Sequence, residues 1–329
     1  MKLQLAPAVA RALEAVPQLL VTIDTEPDCD VHWARSKPLT FTSVTEGVPR
    51  LLRPIFNRHG VRPLYFVSPE VLDHAASCRV LRDEVGQGAI IGAHLHSEYI
   101  GPARTINDPA GAASGEFPCS AHPDPIEREK LRNLTDLIEA KLGVRPVWYR
   151  AARFGADRAT LESLVALGYR FDSSVTPGIS WAATGGPDHS PGPVGPYQPS
   201  RRDMYREAQG DDGLPLVELP VTILGPRFGP LGRALSWQWM AHRWLRPTHM
   251  SGWEMRGIVD EMMVRYEKPY LVMMFHSMEI MPGRSPYVRG RVGQALFLRR
   301  LESAVAHAQR RLAIASNEAV RRSPLAGDA

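Results

Sequence analysis

Short apolar runs recur along the 329-residue chain, separated by segments in which apolar positions return at helical spacing. The runs near 19–24, 63–67, 89–94, 146–151, 169–175, 215–222 and 270–276 read as strands. The periodic segments 43–59, 74–87, 124–142, 157–168, 231–245, 252–267 and 290–314 read as helices. Ser43-Val-Thr-Glu46 carries the S-x-x-E pattern of a capping box, and Gly168 stands where a left-handed glycine would end the segment 157–168. Strand and helix in alternation predict parallel pairing through right-handed crossovers, and seven such units predict either a barrel or a doubly wound sheet.

Two long segments break the rhythm. Residues 99–123 are rich in Gly, Pro, Ala and Ser, and residues 176–213 contain GGPDHSPGPVGPYQPS, too dense in Pro and Gly for regular structure. Both follow predicted strands, so in a barrel they lie at the carboxyl-end face, where active sites are built. Loops of this length commonly form binding surfaces. We expect one domain over 1–329, with its core at about 19–314 and a frayed tail at 315–329.

Composition narrows the picture only slightly. There are 39 Lys and Arg against 35 Asp and Glu, a net charge of +4, and the basic residues are interspersed with acids. That favours an anionic partner weakly and gives no support for nucleic acid. Cys29, Cys78 and Cys119 are far apart and form no C-x-x-C, so they match neither a disulfide framework nor a thiolate zinc site. The first twenty residues lack the unbroken apolar core of a signal peptide, and no stretch reaches 18 apolar residues. A cytoplasmic protein without an integral membrane segment is the expectation; oligomeric state is not legible.

Candidate chemistry gathers at the carboxyl ends of the strands. In Leu19–Glu26 (LLVTIDTE) and Ala89–His96 (AIIGAHLH), Asp24 with Glu26 and His94 with His96 each share one side of an extended chain. Further segments occupy the same position: Tyr149-Arg-Ala-Ala-Arg153, Phe171-Asp-Ser-Ser174 and Phe275-His-Ser-Met-Glu279. Carboxylates and imidazoles are the ligand mix of zinc and related divalent metals, and a catalytic site uses three such ligands. A remaining carboxylate can then act as base and a separate histidine as acid. Arg150 could orient the base and Asp172 the histidine. The other eight of the 11 histidines lack paired ligands nearby. Trp237, Trp239, Trp244 and Trp253 are at near-helical spacing that suits core packing as well as sugar stacking.

These segments carry a family resemblance. The chain resembles the polysaccharide deacetylase (NodB-type) family, carbohydrate esterase family 4, whose five motifs occur in this order over roughly residues 19–285. They correspond to Thr22-Ile-Asp-Thr-Glu26, Gly92-Ala-His-Leu-His96, Arg150-Ala-Ala-Arg-Phe-Gly155, Phe171-Asp-Ser-Ser-Val-Thr-Pro177 and Met274-Phe-His276. Tyr65-Phe-Val-Ser68 matches the family's second strand. The resemblance implies an α/β fold, a distorted (β/α)7 TIM-like barrel, and removal of acetyl groups from N-acetylated amino sugars or glycoconjugate precursors.

It also implies Asp24 as general base held by Arg150, and His276 as general acid paired with Asp172. Glu26 and His94 become ligands of a divalent metal, zinc first. The usual histidine motif is H-x-x-x-H, and here the fifth position is Glu98, so the third ligand is His96 or Glu98; the shared side of a strand end favours His96. Arg153 and Phe154 fall in the third motif, and Arg284 and Tyr287 in the loop past His276, as candidate contacts for a small-molecule or glycan substrate. The rivals are a hydrolase of a non-sugar amide, a glycoside hydrolase on the same fold, and a non-catalytic carbohydrate-binding relative.

Overall fold

Each of the seven apolar runs contains a strand in the computed structural model, which describes residues 2–14, 16, 18–102, 124–226 and 242–312. In chain order the strands are Leu19–Thr25 (β1), Leu64–Val67 (β2), Ile90–Leu95 (β3), Trp148–Ala151 (β4), Phe171–Asp172 (β5), Val217–Glu218 (β6), Ile223–Leu224 (β7), Arg243–Trp244 (β8) and Leu271–His276 (β9). Seven of them form one parallel sheet in the order β6-β5-β4-β3-β2-β1-β9, and β7 and β8 pair antiparallel beside it.

Alternation along the strands divides their side chains between two clusters. Leu19, Val21, Ile23, Tyr65, Val67, Tyr149, Met273 and Phe275 pack outward with the surrounding helices. Leu20, Leu64, Phe66, Trp148, Phe171, Val217 and Val272 point inward, where Val9 of the helix Pro7–Ala12 (α1) and Leu13 just past it join them. The sheet curls round this inner cluster. Thr222 bridges its two ends: its N–H donates to Val272 O at 3.0 Å, and Val272 N–H donates to Thr222 Oγ1 at 2.8 Å. The architecture is therefore a distorted (β/α)7 barrel, closed by an irregular seam.

The helices around the sheet are Arg53–His59 (α2), Pro69–Asp73 (α3), Ala75–Gly86 (α4), Asp124–Leu142 (α5), Arg158–Ala166 (α6), Gly252–Arg265 (α7) and Arg291–Arg311 (α8). Gly168, at φ 86°, takes the left-handed position just past α6, as its place in the sequence predicts. Among the described residues no helix is long and apolar enough to cross a membrane.

Two local expectations are corrected. Ser43–Leu52 winds as a wide-turned π-helix containing Pro49, and its start is not a Ser43–Glu46 capping box. The Asp28 carboxylate takes that role, accepting from Thr42 N–H at 2.7 Å and Ser43 N–H at 3.0 Å, so the partner comes from an upstream loop. The predicted helix 231–245 is also wrong at its end, because Arg243–Trp244 is a strand held by Ile223–Leu224. Residues 227–241, with Trp237 and Trp239, lie outside the described residues, as do 103–123 and 313–329.

Candidate active site

Interior alternation continues upward from the apolar plug into polar chemistry. Inward from β1 come Leu20, Thr22 and Asp24; from β9 Val272, Met274 and His276; from β3 Gly92 and His94; from β4 Trp148 and Arg150. A Cβ on Gly92 would lie 2.6 Å from the Phe66 ring, which is why this layer needs a glycine. Register aligns the chemistry, with Asp24 opposite His276 and His94 opposite Arg150.

Arg150, fully buried, fills the middle of the barrel with its guanidinium over the Phe66 ring. It donates through Nη1 to Asp24 Oδ1 at 2.7 Å and Thr22 Oγ1 at 2.9 Å, through Nε to Ser173 O and through Nη2 to Ser173 Oγ. One oxygen of Asp24 is thus fixed, and Oδ2 lies 4.0 Å from His276 Nε2.

Glu26, His94 and His96 bring one ligand atom each within 4.8 Å of one another. His94 Nδ1 is 2.9 Å from Arg150 O, a pure acceptor, so Nδ1 carries the hydrogen. Its Nε2 then faces Glu26 Oε1 at 3.1 Å, lone pair against carboxylate. His96 repeats the pattern: Nδ1 is 2.7 Å from Glu70 Oε1, and Nε2 lies 3.7 Å from Glu26 Oε2. Unprotonated nitrogens turned on a shared carboxylate require a cation between them, either protons or a metal. Outer hydrogen-bond partners on both imidazoles are also what metal-ligating histidines show. This donor set fits a divalent ion.

Burial pushes the Glu26 carboxyl up, but His96, His94 and His276 outweigh it and hold the group well below the usual range. Burial pushes His96 down, but Glu70 and Glu26 raise it well above an ordinary imidazole. Glu70, on α3, and Arg35, which reaches the same Glu70 oxygen at 3.0 Å, were not legible as site residues. Glu98 is buried but stands outside the Glu26–His94–His96 cluster, so the structure groups His96, not Glu98, with Glu26 and His94.

Asp172 requires a correction. The inward positions of β5 and its extension are Phe171 and Ser173, so Asp172 faces the other way, in register with outward Tyr149. It does not pair with His276. Its Oδ1 accepts from Ser173 N–H at 2.8 Å and Ser174 Oγ at 2.6 Å. Its register neighbour is Glu218, also buried, and Asp172 Oδ2 and Glu218 Oε2 have no hydrogen-bond donor. Burial lifts Asp172 to about 6 and Glu218 well above its ordinary value. His276 Nδ1 instead meets Glu279 Oε1 at 2.7 Å.

At the mouth, Trp33 sits edge-on to His276 and to Tyr287, with ring centres 5.5 Å apart in both cases. Trp33 and Tyr287 are 41% and 40% exposed, unusually open for large aromatics. Arg284 Nε lies 3.9 Å from Asp28 Oδ2 at the rim. Arg153 and Phe154 follow β4 at φ 52° and 55°, a left-handed pair that costs about 1–3 kcal/mol per residue. Arg153 is exposed; Phe154 is buried, stacked on Trp181 and tilted against Trp244, so Trp244 packs rather than faces solvent.

No protein-family model and no curated protein matches the sequence. Solved structures do. Two similar chains are each described as a "putative polysaccharide deacetylase". One, from Mycobacterium smegmatis, is 20% identical over 93% of this chain and 90% of that one, with a TM-score of 0.48. The other, involved in O-antigen biosynthesis in Bordetella bronchiseptica, is 13% identical over 93% and 89%, with a TM-score of 0.35. The chain is also similar to 4-α-glucanotransferase from Thermococcus litoralis, at 12% identity over 93% of this chain and 40% of that one, with a TM-score of 0.48.

Proposed function

We propose that this protein is a metal-dependent hydrolase that removes an acyl group, acetyl first, from an N-acylated amino sugar or glycoconjugate precursor. One observation carries the reading: Asp24 Oδ2 and His276 Nε2 lie 4.0 Å apart, and the same His276 nitrogen is 3.8 Å from Glu26 Oε1 of the ligand cluster. A base, an acid and a cation site share one small volume at the top of the barrel.

Glu26, His94 and His96 would hold the ion. When bound, a divalent cation, zinc by this ligand chemistry, supplies Lewis-acid polarisation. Asp24, turned by Arg150, takes a proton from the attacking water, and His276 Nε2 gives one to the leaving amine. The C–N bond breaks, a C–O bond forms, and the products are a carboxylate and a free amino sugar. Trp33 and Tyr287 face the sugar ring, and Arg153 and Arg284 reach its polar groups, while Phe154 backs the wall. The leading rival, a retaining glycosidase, needs two carboxyls about 5 Å apart flanking the bond, and no metal. Here the Arg150 contact and the two imidazoles already engage the candidate carboxyls, Asp24 and Glu26.

Acetate release from a panel of N-acetylated amino sugars, nucleotide sugars and oligosaccharides tests the proposal. We expect release from at least one class, abolished by chelation and restored by Zn²⁺. Chelator-insensitive cleavage of a glycosidic bond would replace it with the rival.

A further inference from the structure

We propose that Glu279, fixed by Arg246 and Thr248, is the positioning residue for His276, holding its imidazole with Nδ1 inward and Nε2 at the reacting centre. The inference rests on reading His276 as the proton donor to the leaving group.

Glu279 lies on the short turn Ser277–Ile280 that follows β9, and it is fully buried. Its Oε1 accepts from His276 Nδ1 at 2.7 Å, from the backbone N–H of His276 at 3.1 Å and from the Arg246 guanidinium. Its Oε2 accepts from Thr248 Oγ1 at 2.7 Å. Burial alone would raise this carboxyl, but Arg246 and His276 hold it far below the usual range. An ionised carboxylate only accepts, so the hydrogen between the two side chains belongs to Nδ1. Arg246 Nη2, 3.1 Å from the same ring nitrogen, is a donor only and would need a bare Nδ1. The closer approach of the accept-only Glu279 oxygen puts the hydrogen on Nδ1, and Arg246 donates to that oxygen instead. The ring therefore has one orientation, with Nε2 toward Asp24 and Glu26.

The support is rigid. Arg246 is 5% exposed and follows Leu245, whose N–H donates to Thr222 O and whose carbonyl accepts from Met274 N–H. It is thus pinned to the seam that closes the barrel, next to β9 itself. No residue of β5 contributes, because Asp172 faces outward and is engaged by Ser173, Ser174 and Glu218.

The test compares Glu279→Gln and Asp172→Asn with wild type on two substrates. An N-acetylglucosamine oligosaccharide expels an amine that must be protonated; 4-nitrophenyl acetate expels a phenolate that needs no proton. For Glu279→Gln we expect kcat on the amide to fall about 100-fold or more, the usual range for a lost proton transfer. KM should hold, and the aryl ester should lose far less. Asp172→Asn should lose both substrates in step. Equal losses on both for Glu279→Gln, or an amide-selective loss in Asp172→Asn, would overturn the assignment. The ¹⁵N–¹H spectrum of His276 provides a second readout that needs no turnover. A hydrogen on Nδ1 in wild type, altered in Glu279→Gln, supports the role, and a wild-type ring protonated on Nε2 alone overturns it. A wild type inactive on the aryl ester and on every class of the acetate-release panel would remove the hydrolase reading, while the spectrum still decides Glu279.

Discussion

Glu26 faces two imidazoles whose inner nitrogens are committed, one to a backbone carbonyl and one to a carboxylate. The two commitments differ in strength. Arg150 O is part of β4 and cannot be removed by substitution, whereas Glu70 is a side chain that can. Glu70→Gln should therefore lower zinc affinity about 10–100-fold, the usual cost of losing such an outer partner, and His94→Ala should abolish binding. Titration calorimetry on the purified protein reads both directly, and unchanged affinity in Glu70→Gln would show that His96 needs no carboxylate behind it. The Asp24/Glu26 and His94/His96 pairs were visible in the sequence because strand alternation acts over two residues. Glu70, Arg35 and Arg246 were not, because each reaches its histidine from a separate segment placed by packing between elements. Glu279 falls in the segment Phe275–Glu279, but its hold on His276 Nδ1 depends on the turn after β9.

At the scale of the element, β5 shows how one residue of parity decides a role. The motif Phe171-Asp-Ser-Ser174 marks a strand end correctly, yet it is Ser173, not Asp172, that faces Arg150. Parity is invisible without the inner cluster that Phe171 joins. The loop after β1 is similar: Asp30 Oδ1 accepts from His32 and Ala34 N–H and so tightens a turn that presents Trp33 at φ 63°. Left-handed backbone costs a tryptophan about 1–3 kcal/mol, which glycine recovers. Trp33→Gly should leave the melting temperature unchanged or raised while raising KM roughly fivefold through about 1 kcal/mol of lost stacking. A drop in melting temperature with unchanged KM would make Trp33 a packing residue only.

Over the whole molecule, seven predicted strands all fall inside one parallel sheet, because fully buried strands announce themselves as continuous apolar runs. The irregular seam runs from Thr222, at the end of one such run, to Leu245, in a segment that reads as helix, so its pairing has no such signature. Beside the seam the Asp172–Glu218 pair imposes a pH dependence on stability. Both folded-state values are raised, so the folded protein holds more protons than the unfolded chain. Their contribution is complete below unfolded values of about 4 and is lost as pH rises through about 6 and beyond. Glu218→Gln, whose amide can donate to Asp172, should flatten the decline in unfolding free energy between those values, measured by urea titration at several pH values. An identical slope in the variant would mean that the pair does not set this dependence.

The central claim is that Glu26, His94 and His96 hold a metal beside a separate base, Asp24. The most direct measurement is acetate release by wild type and Asp24→Asn, each stripped with a chelator and reloaded with Zn²⁺, with bound zinc counted in the same samples. We predict that wild type loses release on stripping and regains it on reloading. Asp24→Asn should bind zinc to the same level yet release acetate at least about 100-fold more slowly. Release that survives stripping, or an Asp24→Asn protein as active as wild type, would contradict the account.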